Sequence, residues 1–173
     1  MATTQELEKI LKTAIDVEVN GMSTYTAFAD KTQNENGKNM FRKLAKDEEE
    51  HEIMLKEQLE HLTKNGTWKE IQIPQSKLQS LVPEVREKQI RTKGKAKLGE
   101  IDALNTALDM ERKTAEYYRE QAEKIEDTQA KAMFSQLAEW EDSHFDLIQA
   151  ELDSLKNTGM WFGVPSFRMD GQY

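Results

Sequence analysis

The sequence of 173 residues contains no cysteine. Without thiols it cannot form disulfides, zinc–thiolate sites or cysteine-ligated iron–sulfur clusters. Glycine and proline are scarce, with 8 and 3 residues, and no apolar run approaches the roughly 18 residues of a membrane-spanning helix. Any metal or redox chemistry of this chain therefore depends on nitrogen and oxygen ligands.

Basic residues are outnumbered, with 24 Lys and Arg against 32 Asp and Glu and a net charge of −8. This balance argues against nucleic acid or an anionic membrane as the main partner, because both favour clustered Lys and Arg. Cations are the more natural ligands. The first residues, MATTQELEKI, lack the basic and then apolar pattern of a signal peptide. We therefore expect a cytoplasmic protein.

Four segments repeat apolar residues every three or four positions, which predicts long amphipathic helices. With 37% hydrophobic and 32% charged residues, the composition fits an all-α protein with one main domain. Thr3 and Glu6 have the spacing of a capping box before the first helix. The predicted helices are α1 from about Thr4 to Lys31, α2 from about Lys38 to Thr63, α3 from about Leu98 to Lys124 and α4 from about Thr128 to Lys156.

Residues 64–97 interrupt this pattern with two prolines and a basic run, RTKGKAK. A segment of this length can cross the whole length of a bundle, so α2 and α3 can run parallel to each other. Pro83 is a candidate start for a short helix within it. We predict an antiparallel four-helix bundle over residues 1–156, with 64–97 as a long crossover between its two hairpins.

The last segment, residues 157–173, is predicted to be a separate aromatic tail, since it is rich in Gly and aromatic residues and too irregular for a helix. We expect Trp161, Phe162 and Phe167 to cover one end of the bundle or to pack on a partner subunit. A docking surface for an electron-transfer partner is the alternative.

The two halves of the bundle are related by an internal repeat. Residues 104–144 align without gaps to residues 11–51, an offset of 93, and 15 of the 41 aligned positions are identical. The segment KNMFRKLAKDEEEH aligns with KAMFSQLAEWEDSH. The repeating unit is a helical hairpin that is present twice.

Polar residues occupy positions on the apolar face of each helix, and the repeat pairs them. They are Glu18 with Glu111, Glu48 with Glu141, and His51 with His144. A single Glu-x-x-His is weak evidence because a solvated surface pair has the same pattern. Two such pairs at one offset, each with a further Glu on the preceding helix, are not explained by chance. His61 has no counterpart and is interpreted as a helix-end residue.

Four carboxylates in an apolar bundle require compensating positive charge, because a buried unpaired charge costs several kcal/mol. Two divalent cations would neutralise them. Glu and His three residues apart project from the same side of a helix. Each Glu-x-x-His can therefore offer its imidazole to one metal and its carboxylate to both, in a two-metal site with ions about 3.5–4 Å apart. The predicted metal ligands are Glu18, Glu48, His51, Glu111, Glu141 and His144.

The segments AIDVEVNGMSTYTAFAD, LAKDEEEH, ALDMERKTAEYYREQAE and LAEWEDSH resemble those of rubrerythrin-type di-iron domains in the ferritin-like superfamily. The resemblance implies a non-haem centre of two iron ions that reduces hydrogen peroxide or O2. Manganese or a mixed pair is possible, since both metals accept the same donor atoms. It also implies the six ligands named above and a homodimer or small homo-oligomer.

The chain departs from rubrerythrins at two points. Rubrerythrins commonly carry a rubredoxin domain, whose iron is bound by cysteines and which supplies electrons to the di-iron site. This cysteine-free chain has none, so electrons would come from an external donor protein. Thr114 stands where rubrerythrins carry an additional glutamate three residues after the ligand on α3. The six-ligand set is similar to the ferroxidase centre of bacterioferritin-like proteins, so an Fe(II)-oxidising, iron-handling protein is the first alternative. A metal-stabilised scaffold without turnover is the second.

Tyr25 and Tyr118 each follow a candidate ligand glutamate by seven residues, which places them on the same helix side two turns further along. We expect their hydroxyls to hydrogen-bond the ligands. A redox role for the two tyrosines is the alternative. Trp140 is expected to pack beside the site. Asp16 and Asp109 also repeat, but they lie on another helix face and are expected to be solvated.

Overall fold

The computed structural model describes residues 3–70 and 98–161. Over these residues the chain forms four helices and no strand. They are α1 Thr4–Lys31, α2 Glu35–Asn65, α3 Leu98–Lys124 and α4 Thr128–Thr158. The prediction of an all-α four-helix bundle is confirmed. The predicted crossover beyond residue 70, the short helix at Pro83 and the tail beyond Trp161 lie outside the described residues.

Side chains and glycines fix the helix ends. Thr3 and Glu6 form the predicted capping box at the start of α1. Asn34 caps α2 through the backbone N–H of Asn36, so this helix begins at Glu35, three residues earlier than the predicted Lys38. The Asn34 side chain accepts from a backbone donor that would otherwise have no partner. The helix can therefore begin here, and the preceding loop is shorter than predicted.

The carboxyl ends of α2 and α4 also extend two residues beyond their predicted limits. Gly66 and Gly159 end these helices in the left-handed conformation, with φ of 68° and 74°. Glycine adopts this region without a Cβ clash, which makes it the favoured residue just past a helix. The helices therefore continue to the residue before each glycine.

The helices pair as two hairpins. α1 packs along α2 and α3 along α4, while α1 and α3 touch at only a few points. Within each hairpin the connection is three residues long, which makes the paired helices antiparallel. These contacts confirm the pairing that the repeat predicts.

Two apolar layers fill the bundle. One contains Leu11, Leu55 and Phe134, and the other contains Phe41, Leu104 and Ile148; all six are at most 1% exposed. Most apolar residues on the inward faces of the helices are buried, but Phe28, Leu59, Ile101 and Leu108 are only partly buried and pack at the margins of the layers.

Trp161 closes one end of the bundle, as predicted for the first aromatic residue of the tail. Its indole lies against Phe41 with ring centroids 5.9 Å apart, and Nε1 donates to Glu100 at 3.3 Å. A Cβ on Gly37 would come within 2.6 Å of the indole, so only glycine allows this approach. The division into a bundle at 1–156 and a tail at 157–173 stays a prediction.

Candidate metal centre

Six polar side chains lie between the two apolar layers. Each helix contributes at least one of them, and the exposed fraction of each residue is 6% or less. They are Glu18 on α1, Glu48 and His51 on α2, Glu111 on α3, and Glu141 and His144 on α4. The structure brings together all six residues that the sequence predicts as ligands.

Their donor atoms form two groups that share two residues. Glu18, Glu48, His51 and Glu141 each offer one atom within 4.8 Å of the others. Glu48, Glu111, Glu141 and His144 do the same. Glu48 and Glu141 belong to both groups, which is the arrangement of two metal positions with two shared carboxylates.

Each imidazole faces the carboxylates through its Nδ1 atom. His51 Nδ1 lies 3.3 Å from Glu18 Oε2, 3.2 Å from Glu48 Oε2 and 3.4 Å from Glu141 Oε1. In the other group, His144 Nδ1 lies 3.6–3.7 Å from oxygens of Glu48, Glu111 and Glu141. The local reason is helix geometry, since the three-residue spacing aims each Glu and His at the same point.

The two tyrosines cross between the hairpins. Tyr25 on α1 donates its hydroxyl to Glu111 Oε1 on α3, and Tyr118 on α3 donates to Glu18 Oε1 on α1. Both tyrosines are fully buried. The predicted hydrogen bonds from Tyr25 and Tyr118 to the site are thus present in the structure.

Electrostatics in the cluster favour retained protons when no metal is present. Burial and repulsion from Glu141 and Glu18 raise the pKa of Glu48 well above its usual value. Burial and Glu141 raise the pKa of Glu111 to about 8. Glu141 is the exception, because attraction to His144 and His51 outweighs its burial and lowers its pKa.

The pKa values of the imidazoles and the phenols also rise. Burial alone would lower the pKa of His51, but the nearby carboxylates of Glu141 and Glu18 raise it well above its usual value. The pKa of His144 rises despite burial because Glu111 and Glu48 attract the imidazolium. Burial raises the pKa of Tyr25 and Tyr118, so both remain phenol donors at neutral pH.

The donor set fits a pair of divalent cations. Glu141 Oε1 and His144 Nδ1 are buried within the described part of the chain without a hydrogen-bond partner, although both atoms face the centre of the cluster. Native proteins rarely leave buried polar atoms unpaired. Two cations would bind these atoms and would balance the four clustered carboxylates. The assignment of the six residues as ligands stays a prediction.

Asp47 and Trp140 adjoin the cluster, and the sequence reasoning did not assign Asp47 to it. Asp47 Oδ2 lies 3.5 Å from His144 Nε2, and Asp47 is 6% exposed. Trp140 stacks on His51 with ring centroids 4.7 Å apart and an interplanar angle of 8°. The sequence signal that could indicate their place beside the cluster is position, because Asp47 and Trp140 each directly precede a candidate ligand glutamate.

A cleft of about 170 Å³ between α1 and α3 reaches the cluster. Glu18 and Glu48 line its inner part, and the exposed residues Asn20 and Lys113 line its outer part. Gly21 keeps it open on the α1 side, since a Cβ there would lie 3.2 Å from Glu48 Oε1.

The residues predicted to lie outside the site do so. Asp16 is exposed, and Asp109 pairs with Arg112 at 2.8 Å and with Lys113 at 2.6 Å. His61 lies near the end of α2, where its Nδ1 is 3.0 Å from the carbonyl oxygen of Thr67.

The chain is similar to known proteins in sequence and in fold. The family model described as Rubrerythrin matches residues 9–97, about half of the chain. Among solved structures, the chain is similar to a hypothetical protein from Pyrococcus furiosus, with 21% sequence identity and a TM-score of 0.64 over 93% of this chain and 100% of that one. That similarity shows the fold. No curated protein matches the chain.

Proposed function

Because the chain belongs to the rubrerythrin family, we propose that it is a di-iron oxidoreductase that reduces hydrogen peroxide, or O2, with electrons from an external donor protein. The observation that carries the proposal is the pair of buried ligand groups that share Glu48 and Glu141. This geometry matches the two-metal carboxylate sites of four-helix bundles.

Each residue of the cluster has a distinct task in this proposal. Glu18 and His51 would hold one metal, Glu111 and His144 the other, and the shared carboxylates both. Reduction of hydrogen peroxide to two waters takes two electrons and two protons, and a pair of Fe(II) ions held by these residues would supply the two electrons. The apolar layers exclude bulk water from this chemistry.

The tyrosines orient the two terminal carboxylates. Each phenol donates to one oxygen of Glu111 or Glu18, which leaves the other oxygen of that carboxylate available for a metal. Because the pKa of each phenol is raised, the donor keeps its proton at neutral pH. Such outer hydrogen bonds typically tune ligand orientation and basicity.

The cleft between α1 and α3 supports a small oxidant as the substrate. Its volume of about 170 Å³ accommodates hydrogen peroxide or O2 but no large organic molecule. Thr114, where rubrerythrins carry an additional glutamate, lines the cleft, and among the described residues Glu18 and Glu48 are its only acidic lining residues.

An anaerobic iron titration tests the proposal. We expect saturation at two Fe(II) per chain and much faster oxidation by hydrogen peroxide than by air. Equal rates, or faster oxidation by O2, would contradict a peroxidase and favour the alternative of a ferroxidase that handles iron. The threonine at position 114 also favours this alternative.

Assembly size provides a second discriminator between these functions. Iron storage requires a large hollow shell, whereas we propose a homodimer or another small oligomer for a peroxidase of this type. Size-exclusion chromatography with light scattering distinguishes a particle of a few chains of 20.0 kDa from a shell.

Glu48→Ala tests the shared carboxylate directly. We expect this variant to lose the second iron equivalent and to oxidise Fe(II) at least about 100-fold more slowly, because Glu48 belongs to both ligand groups. Glu49→Ala removes an exposed neighbouring carboxylate and should behave as the unmodified chain. A Glu48→Ala chain that keeps both irons would contradict the site.

An unmodified chain that binds two irons but reduces neither hydrogen peroxide nor O2 would favour the metal-stabilised scaffold.

A further inference from the structure

The two halves of the metal centre differ in the residue that lies against each imidazole. The offset of 93 that pairs His51 with His144 also pairs Asp47 with Trp140. Both residues are buried, with 6% and 7% of their surface exposed. The ligand set is therefore symmetric, but the residues next to its two imidazoles are not.

Asp47 supports His144. Its Oδ2 lies 3.5 Å from Nε2 of His144, the ring nitrogen that faces away from the carboxylate cluster. A carboxylate at that nitrogen holds the N–H there and leaves the lone pair on Nδ1, which faces Glu48, Glu111 and Glu141 at 3.6–3.7 Å. The same contact fixes the orientation of the ring.

His51 has no equivalent support. Its three carboxylate contacts are made by Nδ1, and within the described parts of the chain no further carboxylate is paired with its Nε2. The indole of Trp140 is stacked on the ring instead, with centroids 4.7 Å apart. Stacking fixes the plane of the imidazole but selects neither its tautomer nor its basicity. The indole Nε1 is itself buried without a hydrogen-bond partner among the described residues.

We infer that Asp47 makes the two metal positions unequal, so that the position built on His144 binds a divalent cation more tightly and fills before the position built on His51. The inference rests on the proposed two-metal function and adds a filling order to it. A supporting carboxylate on a metal-bound imidazole typically contributes about 10–100-fold in metal affinity. We expect the two equivalents to differ by a factor in that range.

Anaerobic titration of the full-length metal-free chain with Co(II) tests this order. Calorimetry gives the affinity of each step, and visible absorption reports the coordination of each bound ion. The unmodified chain should bind two equivalents in two resolved steps. Two equivalents of equal affinity would overturn the inference and leave the proposed function intact. A chain that binds no divalent metal would refute the proposed function itself.

Two variants assign the asymmetry to this pair. Asp47→Asn should weaken the first step about 10–100-fold and change the second step by less than about threefold. Trp140→Asp places a carboxylate at the equivalent position beside His51 and should tighten the second step. Asp142→Asn, which removes an exposed carboxylate two residues from Trp140, is the matched control and should leave both steps unchanged.

The pattern across the two steps separates support of His144 from a general loss of structure. A structural defect in Asp47→Asn would weaken both steps together, whereas the inference requires a loss confined to the first step. The Co(II) absorption of the first equivalent should also change in this variant. Asp47→Glu keeps the carboxylate and should recover part of the first-step affinity. An Asp47→Asn chain with the unmodified affinity in both steps would overturn the inference.

Discussion

The phenol groups of Tyr25 and Tyr118 illustrate how single residues support the buried carboxylates. Each hydroxyl donates to a carboxylate on the other hairpin, so the two bonds also link α1 to α3 where these helices otherwise touch at few points. A buried carboxylate oxygen that loses its donor pays the cost of an unsatisfied polar group. The tyrosines therefore stabilise the bundle as well as the site.

Removal of either hydroxyl should destabilise the metal-free protein. We expect Tyr25→Phe and Tyr118→Phe each to lower the free energy of unfolding by about 1–3 kcal/mol, measured by urea denaturation in the presence of a chelator. Tyr117→Phe is the control, because this half-buried hydroxyl lies outside the cluster and donates to the backbone oxygen of Ile10 at 3.3 Å. A loss at Tyr117 as large as at the other two would contradict the role given to the crossed hydrogen bonds.

At the scale of elements, the glycines within the helices have different environments. Gly37 lies in the first turns of α2 beneath the Trp161 indole, and a Cβ there would meet ring atoms at 2.6–2.8 Å. Gly99 lies at the start of α3, and in the described part of the chain an added Cβ would meet no atom within 4 Å beyond its chain neighbours and its own helix backbone. Helix propensity favours alanine at both positions, so only the packing differs.

Alanine substitutions at these glycines should therefore have opposite effects. Gly37→Ala should lower the free energy of unfolding by about 1–3 kcal/mol, since the indole has to move or the helix has to shift. Gly99→Ala should be neutral or stabilising by up to about 1 kcal/mol. Thermal unfolding followed by circular dichroism measures both. A stabilised Gly37→Ala chain would show that Trp161 is not packed against α2.

At the scale of the whole molecule, the metal centre lies across the interface between the two hairpins. No hairpin alone holds a complete ligand group, because each group takes residues from both. Metal binding should thus stabilise the association of the hairpins as well as the local structure of each. In metal-free protein, the same interface contains the carboxylates whose pKa values are raised.

The metal-free protein should lose stability as the pH rises from about 5 to about 9. Glu111 has a folded pKa of about 8 against an ordinary 4.5, so the folded state holds more protons than the unfolded state in this interval. The raised pKa values of His51 and His144 act in the same direction above their ordinary value of 6.5. The lowered pKa of Glu141 acts only below 4.5, where its contribution is lost as the pH falls.

Melting temperatures at several pH values measure this dependence. With a chelator the midpoint should fall as the pH rises, and with saturating Mn(II) the fall should be smaller because bound metal replaces the protons. The stabilisation by metal should therefore increase with pH. A metal-free midpoint that rises across this range would contradict the arrangement of the cluster.

The extent to which the site could be predicted depended on the residue. The repeat identified Glu18, Glu111 and both Glu-x-x-His pairs, because a duplicated pattern on an apolar face has no simple alternative. The repeat did not identify Asp47, because its counterpart is Trp140. A charged residue without a repeated partner resembles ordinary surface charge. The start of α2 was also placed too late, because turn-forming residues favour a loop and an N-cap about equally.

The sequence by itself determined the four helices, the duplicated hairpins and the six residues that converge, because periodicity and an internal repeat are one-dimensional signals. Only the tertiary structure decided that each tyrosine bonds the opposite hairpin, and that Asp47 faces His144 while Trp140 covers His51. These contacts join residues far apart in the chain. They depend on how the hairpins are rotated against each other, which the spacing of residues along one helix does not specify.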